Sequence, residues 1–232
     1  MNKFWRTVAT TAAMVVVTAG TALAAPKTME LASDTTVLNG TDRMTFRSLT
    51  KVKDGKMRVE TNGATKGSAA PITSTMIVDP TAKVMYMLND KTKSAMRVKL
   101  DQAGSQMGFG PGSLSPNPAE ITAELKKKGA KIIGSGTMLG HPCDIWELSQ
   151  KAPNGEPGTA KLWLAKDIGM PLKAELSTKS KGITMSLLVT SVKTDLTFDE
   201  NLFRVPTGYK VTDMQDLAKK MQDAGKKPAG VK

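Results

Sequence analysis

A single cysteine and a single histidine are all this 232-residue chain has of either, and aromatic residues are only 4% of it. One cysteine, Cys143, excludes an intramolecular disulfide, and in an oxidising compartment a lone thiol commonly serves as a small buried hydrophobe. One histidine, His141, leaves no second imidazole for a zinc site or a histidine-based triad, and beside Pro142 it reads as a turn residue. The grouped carboxylates Asp195, Asp199 and Glu200 fall at strand or turn ends, where carboxylates are ordinary. No catalytic constellation emerges, so the chain reads as a non-enzyme without a cofactor. No stretch beyond the first residues approaches the about 18 unbroken apolar residues of a membrane-crossing helix.

What is present begins with an export signal. Lys3 and Arg6 open it, Val8 to Ala19 form an apolar run diluted by threonines, and Ala22-Leu23-Ala24 gives the small-x-small pattern that a signal peptidase reads. Cleavage after Ala24 predicts residues 1–24 as leader and a soluble periplasmic product. No cysteine stands at the new N-terminus, so no lipid is expected there. The formal net charge is +12, and +10 once Lys3 and Arg6 are removed. Such a surface favours acidic headgroups or an acidic envelope protein, or simply keeps a sheet soluble. Nucleic acid is not indicated, because the chain is exported and its lysines are scattered among hairpins.

The next seventy-odd residues alternate apolar with polar in short runs, including Met44 to Leu49, Met57 to Glu60, Thr75 to Val78, Val84 to Leu88 and Met96 to Leu100. Asn39-Gly40 and Asp54-Gly55 are hairpin turns that tolerate positive φ, and Asp79-Pro80 and Asn89-Asp90 are further turns. Residues 101–118, rich in Gly, Ser and Pro, read as a long functional loop that could act as a lid. A helix follows, capped by Asn117, with Pro118 in its first turn, an Ile121/Leu125 pair, lysines 126–128 at its end and Gly129 as its stop. Strands resume at Ile132-Ile133, Cys143 to Leu148, Ala160 to Ala165, Leu172 to Leu176 and Ile183 to Thr197. Residues 212–232 read as a short amphipathic helix with Met214, Leu217 and Met221 on one stripe, then a basic tail.

Three segments carry a family resemblance: Gly140 to Glu147, Lys161 to Lys173, and Leu202-Phe203-Arg204-Val205-Pro206-Thr207-Gly208-Tyr209. With Met57-Arg58-Val59-Glu60, their order over residues 56–210 resembles the DUF4412 group, related to the outer-membrane lipoprotein-sorting (LolA/LolB-like) proteins. The resemblance implies a mainly β fold over residues 25–211. It would be a strongly curved antiparallel half-barrel with a covering mid-chain helix and a C-terminal helix, holding acyl chains between sheet and helices.

The expected function is therefore a periplasmic carrier for a lipid or lipidated partner, with an interaction or sensor module as the alternative. The candidate ligand-binding residues are Met85, Met87, Leu162, Leu164, Met185, Leu187 and Val189 from the sheet, with Ile121 and Leu125 from the helix. A dry core would demand the same apolar residues. The fifteen methionines raise a copper site as a chemical option, since thioethers prefer Cu(I), but methionine also fills cores that lack aromatics. No metal site is expected.

Overall fold

The computed structural model describes residues 27–39, 42–65, 72–100, 118–151, 156–180 and 182–217. The leader, the 101–117 loop, Asn117, Gly40 and the basic tail lie outside them. Six strands come first: β1 (Thr28–Asn39), β2 (Asp42–Lys53), β3 (Lys56–Thr65), β4 (Ile72–Asp79), β5 (Val84–Asn89) and β6 (Ser94–Lys99). Helix α1 (Pro118–Lys127) follows, then β7 (Lys131–Met138), β8 (His141–Lys151), β9 (Pro157–Ala165), β10 (Pro171–Thr178) and β11 (Gly182–Thr194). A 3-10 turn (Glu200–Phe203) and β12 (Lys210–Asp213) complete the order.

All twelve strands join one curved, open sheet in the order β12-β6-β5-β4-β3-β2-β1-β11-β10-β9-β8-β7. Every pair is antiparallel except β12 on β6, so the sheet is two hairpin runs joined where β11 returns to β1. The turns explain the runs. Asp54 (φ 48°) and Gly55 (φ 79°) take the two positive φ angles of a two-residue hairpin, and Leu139 (φ 51°) and Gly140 (φ 84°) repeat the device between β7 and β8. Gly129 (φ 80°) ends α1 as its position after the lysines foretold.

Alternation decides what is buried. On β1, Met29, Leu31, Ser33, Thr35 and Val37 are buried, and the intervening Glu30, Ala32, Asp34, Thr36 and Leu38 are not. We call the face bearing the first set the inner face. It continues through Met57 and Val59 of β3 and through Met185, Leu187 and Val189 of β11. Methionine supplies much of this core: Met29, Met57, Met85 and Met170 sit in one cluster with Leu172 and Leu187.

The opposite face of the first hairpin run is covered by the C-terminal segment. Val205 and Tyr209 pack on Ile77, Leu88 and Ala95. Arg58 pairs with Glu60 across one strand face, and its guanidinium also donates to the Leu202 carbonyl. Lys53 holds Glu200 at 2.6 Å, and Tyr209 donates to Asp90. β12 straddles the 211/212 boundary read from the sequence, and residues 214–217 are helical.

Candidate functional site

The strand register draws one straight line across the inner face. Trp146 of β8 stands opposite Leu162 of β9, Leu162 opposite Ala174 of β10, and Ala174 opposite Leu187 of β11. Leu187 stands opposite Thr35 of β1, Thr35 opposite Phe46 of β2, and Phe46 opposite Gly63 of β3. From Trp146 to Thr35 the line crosses four inter-strand gaps, about 19 Å of floor. Its ends are buried: Trp146 is 3% exposed, Leu187 4% and Thr35 2%. Its middle, Leu162 and Ala174, is only half-buried.

That half-buried middle is where three packed clusters meet. Helix α1 lays Ile121 on Trp146 and Leu164, with Leu125, Leu148 and Leu162 at the margin. Phe46, Leu176 and Met185 form a second cluster with Ala160 at its margin. The large methionine-rich cluster has Ala174 at its own margin. Leu125, Leu148, Ala160, Leu162 and Ala174 thus line an apolar strip that no cluster fully covers.

Polar atoms without partners lie on the same face, Trp146 at one end of the line and the hydroxyls beyond Leu187 at the other. Thr35 Oγ1, Ser33 Oγ, Thr50 Oγ1 and Trp146 Nε1 are all buried and make no hydrogen bond. An unsatisfied buried donor or acceptor costs about 1–3 kcal/mol, so four of them on one face need a reason. Their neighbours show the ordinary solution: Ser48 Oγ and Thr61 Oγ1 bond each other at 3.0 Å. Ser33 and Thr50 instead line a cavity of about 10 Å³ with Leu31, Met170, Leu187 and Val189. That space suits one water and is far too small for an acyl chain. Thr178 Oγ1 on β10 is a fifth such atom.

The sequence-predicted site residues divide among these clusters. Met85, Leu187 and Val189 belong to the large one, Met185 to the second, and Ile121, Leu164, Leu125 and Leu162 to the one under α1. Met87 is half-buried and in none of them. Among the described residues, Leu187 and Val189 share one small cavity, most of the others are packed, and Leu162 and Leu125 lie on the half-buried strip. The hydroxyl stripe of Ser33, Thr35 and Thr50 is not among the residues that the sequence singled out. The signal was available in their parity: Ser33 and Thr35 share it with Met29, Leu31 and Val37.

The remaining chemistry is modest. His141 Nδ1 lies 2.7 Å from Asp167 Oδ2, close to Cys143 in the chain. The Cys143 thiol, however, is buried and donates to the His141 carbonyl rather than the ring, and desolvation pushes its pKa up. A nucleophilic thiol needs the reverse shift. Among the described residues no three His, Cys, Asp or Glu side chains gather as a metal site would need. Asp199 caps the 3-10 turn, accepting from the Asn201 N–H, and Glu200 holds Lys53, which lowers its own pKa.

Residues 28–170 match the family described as "Domain of unknown function (DUF4412)". The chain belongs to the DUF4412 family. No curated protein matches this DUF4412 chain. Among solved structures it is similar to an uncharacterized conserved protein from Thermus thermophilus, with 8% identity, 91% of this chain and 99% of that one covered, and a TM-score of 0.49. It is also similar to a chain of the Pseudomonas aeruginosa MucA/MucB complex, with 16% identity, 77% and 56% covered, and a TM-score of 0.44. A third is a Vibrio parahaemolyticus domain assigned to outer membrane lipoprotein sorting, with 11% identity, 76% and 89% covered, and a TM-score of 0.36.

Proposed function

We propose that this DUF4412 protein is a non-catalytic periplasmic binding protein that carries a lipid or the acyl chain of a lipidated partner. The observation that carries the reading is the half-buried apolar strip at Leu162 and Ala174, with buried hydroxyls without partners on the same face beyond Leu187. An amphiphile matches both parts. Its hydrocarbon would cover the strip, each buried methylene contributing about 0.8 kcal/mol before ordering costs. Its ester or carboxyl oxygens would accept from Ser33, Thr35 or Thr50.

Entry beside Ser33 and Thr50 requires the inner face to open, since the described cavity there leaves room for one water. Methionine makes that opening inexpensive: unbranched thioether side chains repack among several rotamers with little loss of contact. Met170 beside the cavity and Met185 beside the strip are placed to move. The lysine-rich surface would meet anionic headgroups outside. Among the described residues no helix is long and apolar enough to cross a membrane. The leader read from residues 1–24 supports the periplasmic assignment.

The test uses Leu162→Lys, which puts a charge on the strip at a half-buried position and spares the packed clusters. A fluorescent fatty acid added to delipidated protein should bind the parent and fail to bind the variant, with both folded by circular dichroism. Equal binding by the two would remove the strip as the site.

A further inference from the structure

The sheet has two edges, and they differ. At one, β12 is four residues long and carries Lys210 and Asp213. At the other, β7 runs eight residues, pairs only with β8 among the described residues, and is exposed along nearly its whole length. Long bare edges are usually blunted by charge, proline or a bulge. Here Lys131 and a register shift between Ile132 and Gly134 sit at the start of the strand. The stretch Gly134-Ser135-Gly136-Thr137-Met138 beyond them has no such protection.

The register fixes which backbone groups face outward. Thr137 stands opposite Pro142, which has no N–H and whose carbonyl accepts from the Lys166 N–H at 2.8 Å on the β9 side. Thr137 is therefore in a non-hydrogen-bonded pair, and its own N–H and C=O point away from β8. Ser135, two residues earlier and opposite Asp144, points the same way. The flanks are apolar and basic. Ile132 is 53% exposed and Ile133 49%, while Lys126, Lys127 and Lys131 are exposed and in no ion pair among the described residues.

We propose that β7 is a docking edge for an extended acidic segment of another protein, which adds a thirteenth strand to the sheet. Its backbone would pair with the outward groups of Ser135 and Thr137, its apolar side chains would cover Ile132 and Ile133, and its carboxylates would meet Lys126, Lys127 and Lys131. The sheet face around Gly136 is open: no atom lies within 4 Å of a side chain built there. A membrane surface also offers negative charge and hydrocarbon. It cannot satisfy a row of bare peptide groups, and open sheet edges do not enter hydrocarbon.

The experiment titrates the full-length mature protein with an acetylated octapeptide of alternating valine and glutamate, read by fluorescence anisotropy and amide hydrogen exchange. Salt-sensitive binding that protects the Ser135 and Thr137 amides is expected. Ser135→Pro deletes one outward donor without touching the β7–β8 ladder and should weaken binding about tenfold or more. The triple change Lys126→Glu, Lys127→Glu, Lys131→Glu should do the same, and a valine–lysine peptide should not bind. Protection at other amides, indifference to Ser135→Pro, or equal affinity for the basic peptide would overturn the proposal. So would self-association through β7 that excludes the peptide, or binding to anionic vesicles that Ser135→Pro leaves unchanged.

Discussion

Ser33 of β1 and Thr50 of β2 sit diagonally across one strand pair, both 2% exposed, both lining the same small cavity, and neither hydroxyl has a partner. A sheet built only to be stable would place methyl groups there. Thr50→Val is nearly isosteric and removes an unsatisfied oxygen. In delipidated protein it should raise stability by about 1 kcal/mol, measured by urea unfolding. In loaded protein the gain should vanish or reverse, because the hydroxyl then has a ligand oxygen to bond. A destabilisation of the delipidated form would show that the oxygen is already satisfied there.

Leu187 and Met185 are 4% and 5% exposed and packed in separate clusters. Aspartate at either should therefore cost several kcal/mol and reduce secretion of folded protein, rather than report on binding alone. Leu162→Lys should cost far less, because Leu162 is half-buried. Thermal melts of the three variants check this. Comparable losses in all three would mean that the strip at Leu162 is as tightly packed as the clusters beside it.

The Phe46 ring occupies the space beside Gly63 on the neighbouring strand. A side chain at Gly63 would put its Cβ 2.3 Å from Phe46 Cδ1, so the ring must move. Gly63→Ala should destabilise by about 1–3 kcal/mol through overpacking. Adding Phe46→Leu should recover part of that loss, and a simple sum of the two costs in urea unfolding would refute the contact.

The C-terminal segment is fastened by charge. Arg97 grips Asp213 with two bonds of 2.6 Å, and Lys53 holds Glu200 at the same distance. Hydrogen bonding to the cation is the main cause that lowers each carboxyl's pKa. A depressed carboxyl pKa adds stability above the group's ordinary value, 3.8 for Asp213 and 4.5 for Glu200, which is lost as pH falls through the lower folded value. Amides of β12 should therefore lose protection, relative to their intrinsic exchange rates at each pH, below about pH 4 while those of β1 and β11 stay protected. Arg97→Gln should give the same loss of protection already at neutral pH. Both pairs reach solvent, Lys53 being the more covered partner, so salt should weaken the effect.

Much of this architecture is legible in the sequence because hairpins announce themselves locally. Asp54-Gly55, the alternation of Met185, Leu187 and Val189, and the helix from Pro118 to Gly129 need no distant partner to be recognised. β12 was not legible: Lys210 to Asp213 becomes a strand by pairing with the distant β6, where Arg97 meets Asp213. β7 was seen only at Ile132-Ile133, since Gly134 and Gly136 break the apolar pattern. The site is harder still. Residues such as Met85 and Leu164 are apolar whether they fill a core or face a ligand, and only three-dimensional packing separates them from Leu162. The orphan hydroxyls look like surface residues until the parity of β1 is fixed by its neighbours.

The most direct test of the carrier account is the content of the protein as the cell makes it. Mature protein purified from the periplasm without detergent would be weighed by native mass spectrometry, and its solvent extract analysed for lipids. The account predicts one acylated species per chain in the parent and none in Leu162→Lys. Parent protein that is folded, empty and unable to take up added fatty acid would contradict it.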